Sequence, residues 1–192
     1  SVSEKSIGRR NLLVGSAFLR EDNNRIISND ARIEINSGYQ GTNCIHVIDA
    51  TEAGNPHYVG AYWDGSQGGK SIKITKGKKY VLSCYYKTND TNGRIFLEAL
   101  YTDEQTNAKR TGNGPTYLTQ SNFIVTKLNQ WELFTTVIDT TNAGEKDNYL
   151  AFNFFEYSNG NFGRINAYIC RPMVEEGDTY NGWTLSHDDY DI

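Results

Sequence analysis

The residues of this chain best suited to chemistry are aromatic side chains set beside amides and carboxylates. Tyr62, Trp63 and Asp64 run into the Gly-rich stretch 65–69. Tyr117 stands in a polar segment with Asn113 and Gln120, which reads as a long loop. Tyr157 is followed by Ser158 and Asn159, and Tyr85 lies two residues from Lys87. A flat ring can pack on the C–H face of a polyhydroxylated ring while a neighbouring amide or carboxylate takes its hydroxyls. Trp63, Tyr62, Asp64, Tyr85, Tyr117 and Tyr157 are therefore the expected binding residues, for carbohydrate. Trp63 leads the set, because a ring between a strand and a Gly-rich loop can stand exposed while Asp64 offers a hydroxyl acceptor. Each ring also has a plainer use in ordinary packing, and for Trp63 that use is a core or hinge role.

Catalysis finds no comparable pattern. A glycosidase needs two carboxyl groups flanking one bond. Glu175–Glu176 and Asp188–Asp189 are adjacent, so in extended chain they point to opposite faces, while Glu98 and Glu132 belong to separate strands. His46 falls in a strand, His57 in a Gly/Pro loop and His187 near the end, none beside a nucleophile-elbow motif. Cys84 and Cys170 sit in apolar runs unsuited to an activated thiol. His and Cys spacings give no zinc motif. The sequence predicts a protein that binds without catalysing, and without a cofactor.

Short strands must position these residues. Candidates are 32–35, 44–48, 58–62, 71–75, 80–87, 94–101, 122–126, 132–139, 149–157 and 165–172, separated by Gly/Asn/Asp turn clusters. Helical periodicity nowhere exceeds about two turns. Alternation places Tyr80, Leu82, Cys84 and Tyr86 on a core face, with Tyr85 and Lys87 outside. In 149–157 it places Leu150, Phe152 and Phe154 inward and leaves Tyr149, Asn153, Phe155 and Tyr157 outside. Strand 94–101 is apolar on both faces and stays undecided. The predicted fold class is all-β, a jelly-roll β-sandwich of two antiparallel sheets. Residues 1–10 read as a linker from an upstream region, 11–184 as the domain and 185–192 as an acidic C-terminal tail. A start other than Met suggests a piece of something longer.

Composition narrows the partners. Nineteen basic against twenty-three acidic residues give a net charge of −4, and no basic patch marks a nucleic-acid binder. Lys73, Lys76, Lys78 and Lys79 flank a turn and read as a solvated edge. No apolar run approaches the ~18 residues of a membrane span, and no signal peptide is visible. Cys44, Cys84 and Cys170 are odd in number, which excludes an all-disulfide framework and leaves room for one bridge; lying in apolar or alternating runs, they read as buried thiols, as a reducing cytoplasm would allow.

Several short motifs, ordered along nearly the whole chain, carry a resemblance. Asn11-Leu12-Leu13-Val14-Gly15-Ser16-Ala17-Phe18 resembles the opening of jelly-roll carbohydrate-binding modules found beside xylanases and related hydrolases. Gly77-Lys78-Lys79-Tyr80-Val81-Leu82-Ser83 and the strand opening at Trp131 are similar to that group as well. Pro172-Met173-Val174-Glu175-Glu176-Gly177, followed by Trp183-Thr184, resembles an ending common in tail and baseplate proteins of phages infecting Gram-positive bacteria. The resemblance implies a non-catalytic module that attaches a virion to host cell-surface or cell-wall saccharide. It implies other tail proteins as partners, assembly in the host cytoplasm and residence in the virion. A structural virion domain that docks other tail proteins, or a binding module of a secreted glycoside hydrolase, are the alternatives. The xylanase-associated modules carry a structural calcium held by an acid after the opening Phe and an Asp near the last strand. Here those positions hold Leu19, Arg20, Cys170 and Arg171, so the expectation is that no metal is bound there, with Glu21, Asp22 or Asp30 as the acids that could substitute.

Overall fold

The computed structural model describes residues 11–48, 57–90, 93–111, 117–158 and 166–189. They form eleven strands: β1 (Ile26–Ile27), β2 (Ala31–Glu34), β3 (Cys44–Ile48), β4 (His57–Trp63), β5 (Ile72–Lys73), β6 (Lys79–Thr88), β7 (Arg94–Thr102), β8 (Tyr117–Ile124), β9 (Glu132–Asp139), β10 (Tyr149–Ser158) and β11 (Asn166–Glu176). One sheet has the order β1-β4-β10-β7-β8, with β5 also paired to β10, and the other β2-β3-β11-β6-β9. All pairings are antiparallel. The chain passes back and forth between the sheets, the winding of a jelly roll, and the expected fold class is the observed one.

Period-two alternation explains the core. From one sheet Val59, Ala61, Trp63, Ile95, Leu97, Leu150, Phe152 and Phe154 meet Ile45, Val47, Tyr80, Leu82, Tyr86, Ile138 and Ile169 of the other. The undecided strand is thereby settled, since Ile95, Leu97, Ala99 and Tyr101 join the core. Arg94, Phe96 and Glu98 are left on the opposite face.

Three elements differ from expectation for local reasons. β1 has two residues, too few to show an alternation. β8 begins earlier than the expected 122–126, and Gln120 belongs to it rather than to a loop. It is an edge strand rich in Thr, Gln, Ser and Asn, whose pattern lacks an apolar stripe. β11 runs past Pro172 to Glu176 because its register to β6 shifts between Cys170 and Met173, with Arg171 at φ 52°. A bulge absorbs the proline, which has no N–H for the ladder.

The opening and ending motifs meet in space. Asn11 Nδ2 donates to Thr184 O (2.9 Å) and to Ser16 Oγ (2.9 Å), and Leu12 N–H donates to Val174 O (2.9 Å). Residues 185–189, expected in an acidic tail, are drawn in as well: Ser186 and Asp189 are buried, and the Asp189 carboxylate accepts the Gly15 N–H at 3.0 Å. An acid buried against a main-chain donor is a clasp, not a solvated tail.

Candidate functional site

The outer face of the six-stranded sheet carries a recess of about 300 Å³ lined by Tyr58, Tyr62, Gln67, Glu98, Arg110, Gln120 and Phe155. Strand register composes it row by row. Tyr62, Asn153, Glu98 and Gln120 sit opposite one another across β4, β10, β7 and β8. In the next row stand Gly60, Phe155, Phe96 and Asn122, and beyond it Tyr58, Tyr157, Arg94 and Ile124. Phe155 packs parallel to Phe96 at 5.1 Å and to Tyr62 at 5.8 Å between ring centres. Phe155, 3% exposed, makes the floor with the buried Phe96 ring packed beside it, while Tyr58 at 56% offers its ring to solvent. Gly60 is required here: a Cβ would come within 2.0 Å of Phe154 O and 2.6 Å of the Phe155 Cβ.

Polar groups are fixed into this apolar floor. Glu98 is 4% exposed, yet its Oε1 accepts from Asn153 Nδ2 at 2.8 Å and its Oε2 from Gln120 Nε2 at 3.1 Å. Burial raises the Glu98 pKa above the ordinary value of 4.5, against the opposing pull of those amides and of Arg110. Burial likewise pushes the Tyr62 phenol up, so its hydroxyl stays protonated and donates to Tyr58 O at 3.3 Å. Tyr rings, amides, one carboxyl group and an exposed guanidinium can together hold a polyhydroxylated ligand.

Of the residues expected from sequence, the sheet face brings two together. Tyr62 lines the recess, and Tyr157 neighbours it, 5.0 Å from the Tyr58 ring centre. Asp64 is fully buried and offers no acceptor to a ligand; it accepts from Ser66 N (2.8 Å), Ser66 Oγ (2.7 Å) and Gln67 Nε2 (3.1 Å). Its carboxylate also lies 3.7 Å from Arg110 Nη2, so it anchors two lining residues from behind. Trp63 requires a correction. It is 0% exposed, stands edge-on to Phe154 and donates its Nε1 hydrogen to Val14 O at 2.8 Å, which makes it the core Trp of the competing reading. As the inward neighbour of Tyr62 on β4, it cannot share that ring's face. Tyr85 lies on the other sheet, stacked on Tyr39 at 3.9 Å. The Tyr117 side chain lies outside the described residues. Sequence reasoning missed Tyr58, Phe96, Glu98, Asn153, Arg110 and Phe155 as site residues. The outward alternation of 149–157 already carried Asn153 and Phe155, and pairing partners were the missing step.

Neither the positions matched to the calcium ligands nor the described cysteines have the character of a metal ligand set or an activated thiol. Leu19 and Arg20 are exposed where the resemblance implies a calcium-binding acid, and among the described residues no three His, Cys, Asp or Glu side chains gather as a metal site. Calcium takes 6–8 oxygens, which these positions do not supply. The three cysteines are free and buried, and burial pushes the Cys44 thiol up to about 12 and Cys170 to about 11, far from a thiolate at neutral pH.

Comparison with known structures follows this geometry. TmCBM61, solved with β-1,4-galactotriose, superposes with a TM-score of 0.57 at 10% identity over 88% of this chain and 99% of its own. A candidate sugar-binding protein from Bacteroides thetaiotaomicron gives 0.60 at 12%, over 88% and 100%. The fold is that of carbohydrate-binding modules. It also occurs within tailspike protein 4 of bacteriophage CBA120, with a TM-score of 0.53 at 13% identity over 87% of this chain and 21% of the tailspike. No protein-family model matches the chain, and no curated protein matches it in sequence.

Proposed function

We propose that this protein is a non-catalytic carbohydrate-binding module whose site is the recess on the six-stranded sheet. The observation that carries the reading is the juxtaposition of an exposed Tyr58 ring, a Phe155 floor supported by Phe96 and the Glu98 carboxyl held by two amides. Rings take the C–H faces of a sugar and the polar row takes its hydroxyls. Among the described residues Glu98 is the sole carboxyl group lining the recess, where hydrolysis would need a pair. Shared fold with a galactotriose-binding module supports the class of ligand.

A finer reading places the module in a phage tail or baseplate, attaching the virion to host saccharide. The Pro172–Gly177 and Trp183-Thr184 motif supports it, as does the presence of the fold in a tailspike. A module of a glycoside hydrolase is the competing setting, favoured by the same fold in an arabinofuranosidase, 12% identical with a TM-score of 0.56. One site of this size binds modestly, so attachment in either setting depends on several copies acting together. Titration calorimetry with galacto-, xylo- and cell-wall oligosaccharides tests the module reading, using a multimerised form for weak ligands. Binding to none of them, and to no intact cells, would leave the docking of other virion proteins as the better account.

A further inference from the structure

Two of the three free cysteines stand opposite one another on neighbouring strands of the five-stranded sheet. β3 and β11 pair with His46 opposite Tyr168 and Ile45 opposite Ile169, so the register continued by one residue sets Cys44 against Cys170. The His46 and Tyr168 rings stack at 4.3 Å on the outer side of the sheet. Two residues further along each strand, Cys44 and Cys170 are the next pair on that side. The register of β11 to β6 agrees, since it sets Cys170 opposite Tyr85, whose ring stacks on Tyr39. Cys84 is as deeply buried but belongs to the core between the sheets, which includes neither of the others.

Directly opposite residues of an antiparallel pair have Cα atoms about 4.5 or 5.5 Å apart. A disulfide takes Cα separations of about 4.4–6.8 Å, so Cys44 and Cys170 can be bridged with their strands in place. Cys84 cannot compete for Cys170, because the sheet lies between the two thiols. A cover closes the pair from outside. The Tyr39–Gly41 3₁₀ turn is held by the Gly41 N–H on Gly38 O at 3.0 Å, and the Tyr39 N–H donates to Cys170 Sγ at 3.2 Å. Gly38 lets the turn lie this close, since a Cβ there would meet the Cys170 Cβ at 3.1 Å.

We infer that Cys44 and Cys170 are an oxidisable dithiol, which a small-molecule disulfide such as oxidised glutathione converts into a cross-strand bridge between β3 and β11. The Cys170 thiolate attacks one sulfur of the oxidant and expels the other half as a thiolate. The Cys44 thiolate then attacks the Cys170 sulfur and expels the second half. Two protons and two electrons leave the protein, the oxidant becomes two thiols, and Cys84 keeps its S–H. Burial pushes the Cys44 thiol up to about 12 and Cys170 to about 11, so Cys170 is the first nucleophile and exchange waits on local opening of the turn. The bridge ties the edge strands β2 and β3 to the middle of their sheet and leaves the recess, on the other sheet, untouched.

Incubating the folded, full-length protein with oxidised glutathione and mapping it by mass spectrometry without reduction tests this. A loss of about 2 Da is expected, with one pair of peptides joined through Cys44 and Cys170 and released by dithiothreitol. Cys44→Ser and Cys170→Ser should each abolish the bridge, and Cys84→Ser should keep it. The oxidised wild type should melt ~5–10 °C above the reduced protein, as a bridge that fits the native geometry restricts only the unfolded chain. A bridge through Cys84, a protein that keeps all three thiols, or glutathione adducts in place of a bridge would each overturn the inference. So would an oxidised protein that melts below the reduced one. The wild-type map decides alone if a serine variant fails to fold.

Discussion

The outer faces of the two sheets are both rich in aromatic residues, and among the described residues they are used differently. On the six-stranded sheet the rings pack on one another, leaving Tyr58 open above a sunken polar row. On the five-stranded sheet the ring faces are already taken. Tyr39 covers Tyr85; Lys87 lies 5.0 Å from the Trp131 ring and 4.6 Å from Tyr168; Arg171 lies between Tyr39 and Trp183 at 5.3 and 5.2 Å. His46 completes the layer, stacked on Tyr168 at 4.3 Å. Aromatic content alone therefore does not mark a binding face. A ring with a neighbouring cation on the same face spends its π surface within the protein, whereas rings that neighbour rings and amides keep an edge or a face for a ligand.

The largest expected effect separates the face from what supports it. Trp63→Ala removes a fully buried indole behind Tyr62, so stability should fall by about 3–5 kcal/mol in urea titrations. If the variant instead keeps wild-type stability and loses only ligand binding, Trp63 is a contact residue and the core assignment is wrong.

A smaller effect compares the faces directly. Tyr58→Ala should weaken saccharide binding by about 1–2 kcal/mol while the melting temperature stays within a few degrees. Tyr62→Ala should weaken it by as much while also lowering the melting temperature, because its partly buried ring stacks on Phe155. Tyr85→Ala should do the reverse of Tyr58→Ala, leaving affinity unchanged and lowering the melting temperature through loss of its stack on Tyr39. Calorimetry and melting on the three variants check this, and equal affinity losses from both faces would remove the distinction drawn above.

How far the sequence reached follows from what alternation can and cannot say. It separates the two sides of a strand, so Phe152 and Phe154 were legible as core and Phe155 and Tyr157 as outward. It says nothing of which strands lie side by side, and the recess is made by pairing: Tyr62, Asn153, Glu98 and Gln120 come from four strands spread over the chain. Trp63 misled because a Trp before Asp and Gly looks like a loop residue. The deciding fact is its place one residue from Tyr62 on a strand with one buried side. Asp64 reads from the sequence as a hydroxyl acceptor, but an Asp ahead of Gly65 and Ser66 also caps a turn, and the buried turn takes its carboxylate.

The smallest effect concerns pH and has opposite signs on the two faces. Glu98, in the recess, has its pKa raised by burial, which outweighs the amides of Asn153 and Gln120. Its protonated form favours the native state, so the stability it contributes is full below the ordinary value of 4.5 and is lost as pH rises through the raised value. Glu34, on the five-stranded sheet, is also pushed upward by partial burial. Hydrogen bonds from His46 and Arg32 and the charges of both outweigh that push and leave its pKa lowered. Its contribution is present above 4.5 and is lost as pH falls through the lowered value. Urea titrations from about pH 3 to 8 on Glu98→Gln and Glu34→Gln read each term as a difference from wild type. Relative to Glu98→Gln the wild type should lose stability as pH rises above the ordinary carboxylate range; relative to Glu34→Gln it should lose stability as pH falls below that range. Differences that slope the same way would mean that the two carboxylates share one environment, and that the recessed face is no drier at its floor than the other.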